Sequence, residues 1–540
     1  MYIASVPNRN SPPAILLREG YRQDGKCKTK TIANLSHLPP ERIEALRKAF
    51  RGDFDGFSGE GVCDRIFGVL FVLLQLATRQ GIVRAVGKGR MAQLLLFLIV
   101  ARVGHRGSRL SAVRWAREHA VPEVLGVQDF DENDLYQALD YALDNQERIE
   151  NELYREYVKK NGAAPAIVLY DVTSSYLEGE HNELGEYGYN RDGKRGKKQI
   201  VVGLLAGADG EPLAVKVFRG NTTDVQTVSE QIETVKARFG ISEVVFVGDR
   251  GMVKTAGKHA LGHAGLKYIT ALTDPQVRKL IKGGVIQIEL FDDTVCEVQW
   301  QSKRLILRRN ARVADKESRR RQDKLAKLAD KVVGRNAYVQ THARALPESG
   351  LNRLVSWVKR HKLSGFVHLM LEGDQLRIDV DQEAMADDAL LDGCYVLETD
   401  VAKDKLDTDA VDGRYRDLAF VERDFRSMKT AFLEVRPLFV RTEEHTRGAV
   451  FVAMLGLKLL REMQSKLGAH FGTTDDDPYA VTVEDALGAL GRLCFERLEI
   501  EGKSVLRLPR PDARQSEILQ ALQVSYPSDR IREVLAVAKR

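Results

Sequence analysis

Cysteine is scarce in this chain. Five residues out of 540 (Cys27, Cys63, Cys296, Cys394 and Cys494) stand singly, with no C-x-x-C pair among them. That spacing excludes a zinc ribbon and a disulfide framework, and it fits a reducing compartment. Long hydrophobic runs are missing too. The two most apolar stretches, "IFGVLFVLLQLA" (66–77) and "MAQLLLFLIVARV" (91–103), fall short of the ~20 residues that a membrane span needs, so they are expected as buried helices. The N-terminus lacks a basic-then-apolar signal pattern. Repeats and low-complexity tracts are absent. A cytoplasmic protein with no membrane partner is the expectation. Charge of one sign is also weak: a net charge of +6 and a pI near 8.8 permit a polyanionic partner without requiring one.

What is present is an ordinary folded composition, 44% hydrophobic and 29% charged, in a chain too long for a single core. Two to four domains are expected. Residues 14–36 alternate as two strands about Asp24-Gly25, a basic hairpin. From 41 to 160 the periodicity turns helical. "RVGHRGSRLSAVRWA" there sets basic residues beside Trp115; such a run is usually a solvated face, and DNA binding by the mainly helical N-terminal region 1–160 is expected only from what the later motifs imply.

From 164 the pattern changes. "AIVLYDV" predicts a strand, and "QIVVGLLAGADGEPLAVKVFRG" (199–220) predicts a hairpin about Asp209-Gly210. A helix (224–239), the strand "EVVFVGD" (243–249), another helix and "KYITAL" complete the run. Three strands joined by hairpins and then alternating helix and strand predict an α/β fold, a mixed sheet with helices on both faces. This first part of a core covers 161–284. Residues 285–395 interrupt it as a β-rich insertion domain carrying the charged helix "ARVADKESRRRQDKLAKLADKVV" (311–333). Its excess of Lys and Arg suits either phosphate contact or a solvated face. Residues 396–470 return to the core with long helices, and 471–540 form a helical tail, a candidate dimerisation region.

Asp171 is the anomaly in "APAIVLYDVTSSY" (164–176). A carboxylate at the end of an apolar strand costs several kcal/mol unless a cation, a hydrogen-bond network or a metal ion offsets it. Asp249 closes a second strand in "VFVGDRGM". On parallel neighbours both carboxylates leave the same edge, where open α/β sheets bind ligands. Two acids about 5 Å apart repel, and Mg²⁺ relieves that repulsion. Each Asp alone is read equally well as a turn residue. In "YRDLAFVERDFRSMK" (415–429) a helical period puts Tyr415, Leu418, Glu422, Arg426 and Lys429 on one face. An i,i+4 Glu–Arg pair on a solvated helix explains that segment alone just as well.

"LYDVT", "GDRGM" and the spacing Tyr-x2-Arg-x3-Glu-x6-Lys together resemble the DDE transposases of bacterial insertion sequences, in the group named for that Tyr-Arg-Glu-Lys signature. The resemblance covers about 164–465. Tyr415, Glu422 and Lys429 occupy signature positions. Leu418 stands where the signature has Arg, and Arg426 is the candidate replacement cation. The resemblance implies a ribonuclease H-like core with Asp171, Asp249 and Glu422 as catalytic residues and metal ligands for Mg²⁺ or Mn²⁺, two ions in all. It implies cleavage of element ends and transfer of the freed 3′-OH to target DNA, with double-stranded DNA and a second copy of the chain as partners, no small-molecule cofactor, and a nucleoid-associated site of action. Tyr415, Arg426, Lys429, Arg250 and Trp300 are the implied DNA contacts, with Trp357 competing with Trp300. A nuclease without strand transfer and a non-catalytic DNA-binding relative share these features. A sugar-kinase-like reading of "DVTSS" fails because "GDRGM" lacks the paired glycines of that clan's phosphate loop.

Overall fold

The computed structural model describes residues 2–526 apart from 9–11, 24–25, 52–61, 190–193, 195, 241–243, 250–254, 343, 430–432, 434–438, 474–479 and 501–502. The Asp24-Gly25 turn and Arg250 lie outside the described residues. The central element is an eight-stranded mixed sheet built from β1 (Ile167–Tyr176), β2 (Gln199–Gly207), β3 (Pro212–Arg219), β4 (Val245–Gly248), β5 (Lys267–Ala271), β6 (Cys296–Trp300), β7 (Lys303–Arg309) and β8 (Cys394–Thr399), in the spatial order β6-β7-β8-β5-β4-β1-β2-β3. Only β1–β4 and β4–β5 are parallel. The hairpin β2–β3 turns at Gly210, whose φ of 76° suits glycine.

Alternation along β1 explains why both faces are covered. Val168, Tyr170 and Val172 point into one core, shared with Val228 and Ile232 of the helix Asp224–Glu233 and with Leu261 of the helix Thr255–His263. Ile167 and Leu169 point into the other, larger core, which collects the N-terminal helices Gly68–Arg79 and Arg90–Gly104 and the C-terminal helices Val483–Leu490 and Ala513–Ala521. The two apolar runs of the N-terminal half are thus buried helices, and among the described residues no helix is long and apolar enough to cross a membrane. Glycine at 203, on β2, allows the close approach of β1: a Cβ there would sit 2.3 Å from the Tyr170 hydroxyl oxygen.

Residues 285–395 depart from the β-rich expectation. β6 and β7 extend the central sheet, because β8, some ninety positions later, pairs with β7 on one side and β5 on the other. The rest is mainly helical: α1 (Ala311–Thr341), α2 (Pro347–Arg360), a small hairpin of Val367–Glu372 with Gln375–Val380, and the helix Gln382–Ala389. Early and late segments of the chain also meet, since the strand Val62–Ile66 pairs with Cys494–Ile500. At the N-terminus the strand Tyr2–Val6 joins the basic hairpin Ala14–Gln23/Lys26–Asn34.

Candidate active site

Register sets the first two carboxylates side by side. Tyr170 pairs with Gly248 in the parallel ladder, so Asp171 and Asp249 are the next residues of each chain. The strand-end expectation for Asp171 needs correction. β1 continues to Tyr176 with β2 as its partner, and only the pairing to β4 stops at this point. Past Tyr170 the β4 side of β1 has no partner, and the Asp171 side chain shares the sheet face of Leu169. Its Oδ1 accepts the Val172 N–H at 2.7 Å.

The third carboxylate arrives on that same face. The segment 408–429 is not one helix but two, α3 (Thr408–Arg416) and α4 (Leu418–Lys429), divided at Asp417. α4 seats Leu418, Val421, Phe425 and Met428 in the core over β1, which turns Glu422 outward. The expected single face is therefore split: Leu418 is only 7% exposed and packs as a core residue, which accounts for leucine there, while Glu422 and Arg426 are exposed. α3 brings Tyr415, whose hydroxyl donates to Asp249 Oδ1 at 3.2 Å.

Asp171, Asp249, Glu422 and Tyr415 line one cavity of about 1020 Å³. The same cavity is lined by α1 and the turn after α2, with Arg320, Lys324 and Lys362. Sequence reasoning missed Arg416, which lines the cavity beside Tyr415 and is held by Asp412 Oδ2 at 3.0 Å. Asp412 is 1% exposed and also binds Arg308 at 2.6 Å and the Tyr395 hydroxyl. Arg416 was legible as the neighbour of Tyr415; its anchor was not. Arg426 and Lys429 do not line the cavity. Nor does Trp300, which ends β6 at the sheet edge in a small core with Leu305 and Val396. Trp357 stacks on His361, with ring centres 3.8 Å apart.

Beneath Glu422 the site rests on a second missed residue. Asp424, 1% exposed on the inner face of α4, binds Arg461 of α5 (Glu443–Phe471) at 2.7 Å and 3.0 Å. Burial pushes its carboxyl up to about 6, against the pull of Arg461.

As a donor set, three carboxylates on one cavity suit a hard divalent cation. They are not gathered onto a single point: among the described residues, no three His, Cys, Asp or Glu side chains form a ready metal cluster.

Residues 162–457 match the family described as the transposase DDE domain, and residues 3–61 match the N-terminal domain of the IS1634 family transposases. No curated protein sequence matches the chain. Among solved structures, the piggyBac transposase synaptic complex with hairpin DNA is 8% identical over 87% of this chain and 81% of that one, with a TM-score of 0.37. The Mos1 transposase paired-end complex with left transposon end is 14% identical over 43% and 68%, with a TM-score of 0.15. With a family match that spans more than half its length, the chain belongs to the DDE transposases.

Proposed function

We propose that this transposase cuts DNA at the cavity lined by Asp171, Asp249 and Glu422, with these three side chains as its metal ligands. The observation that carries the reading is their convergence from residues up to 251 positions apart in the chain onto one cavity wall. Divalent ions held there, Mg²⁺ or Mn²⁺ and two in number, would supply an activated attacking oxygen and charge neutralisation at phosphorus. The chain's own residues supply placement. Tyr415 orients Asp249 through its hydroxyl, and the packing of α4 on β1 fixes where Glu422 emerges. Arg416, held by Asp412, offers a fixed cation to a phosphate beside the carboxylates. That role replaces the one expected of Arg426.

The order of β1 to β5 and the carboxylates just past the end of the β1/β4 pairing support a ribonuclease H-like core. We divide that core as 161–284 and 396–470, with β6 and β7 as additions to its sheet and α1 to Ala389 as the inserted unit. Cleavage of element ends followed by strand transfer, on a homodimer that joins two ends, is the activity this assigns.

An excision assay tests it. A plasmid carrying the DNA that flanks the gene is incubated with purified protein and Mg²⁺ or Mn²⁺, and the 3′ ends are mapped. Cuts at the flank boundaries that vanish in Asp171→Ala, Asp249→Ala and Glu422→Ala are the expected result. Scattered nicks with the same losses would make the protein a nuclease, and binding without cuts would end the catalytic reading.

A further inference from the structure

The turn after α2 carries a lysine where its geometry favours glycine. Leu363 N–H donates to Val358 O at 3.1 Å and Lys362 N–H to Lys359 O at 3.2 Å. Buried Leu363 packs in one core with Leu354 and Val358. These are the bonds and the hydrophobic contact of a left-handed helix stop, and Lys362 takes the left-handed position with φ 59°. The same pair of bonds closes other helices with glycine at Gly265 (φ 71°) and Gly284 (φ 68°), and with one other side chain, Gln523 (φ 54°). A side chain at such a position is held against a conformational preference, which is common where the side chain has work outside the fold.

Lys362 lines the cavity that the three carboxylates share. Other cations on that wall are engaged within the protein. Arg321 is paired with Asp392 at 2.6 Å and with Asp388 at 3.3 Å, and Arg278 with Asp387 at 2.9 Å. Lys324 donates to His361 O at 3.2 Å, which fastens α1 to the turn that carries Lys362. Lys362 itself is exposed and forms no ion pair among the described residues, and the same holds for Arg320, one helical turn before Lys324.

We propose that Lys362 and Arg320 contact the DNA backbone within the cavity that the carboxylates share, so that the strand is held by the inserted helices as well as by the central sheet. This rests on the transposase reading above. A phosphodiester chain with one phosphate at the carboxylates places its neighbouring phosphates along the cavity, and an uncommitted ammonium is the group that suits them.

Two variants separate contact from structure. Lys362→Gly removes the charge and relieves the left-handed strain; Lys362→Gln removes the charge alone. Binding of a fluorescent duplex taken from the gene's flanking DNA is followed at several KCl concentrations without divalent ions, beside melting curves. Both variants are expected to bind about fivefold more weakly, with a log–log salt slope shallower by about 0.9. Lys362→Gly should at the same time melt at an equal or higher temperature, by up to about 2 °C. Wild-type affinity and slope in either variant would overturn the proposal, as would a lower melting temperature for Lys362→Gly, which would make the lysine structural. Mg²⁺-dependent cleavage by wild type, abolished in Asp171→Ala, is run in parallel. Its presence with unaffected Lys362 variants sinks only this inference, whereas its absence sinks the transposase reading beneath it.

Discussion

Glu297 ties the sheet edge to the helix that carries Tyr415. On β6 its carboxylate takes a forked pair of bonds from Arg304, at 3.1 Å and 2.8 Å, and a third from the Thr408 hydroxyl at the start of α3. Arg304 also donates to the backbone oxygens of Val401 and Leu406, at 3.0 Å and 2.7 Å, so the whole approach to α3 hangs on this pair. Its bonds to Arg304 are the chief reason that the Glu297 carboxyl is held down at about 2, with Thr408 and Lys403 adding to them against the opposing effect of burial. A carboxylate lowered by that much corresponds to about 3 kcal/mol, which solvent at the sheet edge reduces to about 2 kcal/mol. Because the folded value lies below the unfolded one, the contribution is complete above the ordinary 4.5 and is lost as pH falls towards 2. Glu297→Gln keeps the shape and removes the charge. Urea unfolding should find the variant weaker by about 2 kcal/mol at pH 7, and by only about 1 kcal/mol at pH 3. DNA cleavage should slow without disappearing, since Tyr415 loses a firm footing beside Asp249. A stability difference that stays constant over that range, or a glutamine as stable as glutamate at pH 7, would refute the reasoning.

Asp424 has the opposite sign. Its carboxyl is raised to about 6, so its contribution is complete below the ordinary 3.8 and is lost as pH rises through 6. Asp424→Asn should match wild type in thermal melts near pH 4 and exceed it by about 3 kcal/mol at pH 7; a less stable variant at pH 7 would mean that the bond to Arg461 outweighs the burial. Gly203→Ala should destabilise by about 2 kcal/mol through overpacking against Tyr170, and cleavage should fall more than stability does because Asp171 is the next residue; chemical denaturation beside the excision assay reads both. Asp412→Asn strips a buried charge from between Arg308 and Arg416; a loss of about 3 kcal/mol in urea is expected, and an unchanged midpoint would show that the arginines find water instead.

What was legible in the sequence was local or periodic. Short apolar runs bounded by turns located β1 to β5, the turn at Gly210 followed from Asp209-Gly210, and strand order brought Asp171 beside Asp249. What escaped were pairings between distant segments. Nothing in "CEVQW" or "RLILRR" announces that both strands join the main sheet, because the strand that links them, Cys394–Thr399, lies beyond α1 and α2. The break at Asp417 escaped for the opposite reason: it is a single residue, with helical character on both sides. Trp300 was named through the resemblance, beside the plainer reading of a buried tryptophan, and in the fold it packs at the sheet edge with Leu305 and Val396.

The same contrast explains the Leu418 substitution. Read as a stripe, 415–429 has a hole where a cation belongs. In three dimensions Leu418 packs in the core with Val421 and Phe425 at the border of the cavity. Arg416 is well placed, because α3 ends at the cavity and Asp412 holds its side chain from behind. A cation two positions earlier, on a separate helix, borders the cavity instead. The division at Asp417 makes the exchange workable, since it lets α4 keep an apolar underside over β1 while α3 carries both Tyr415 and Arg416 to the edge where Asp171 and Asp249 emerge.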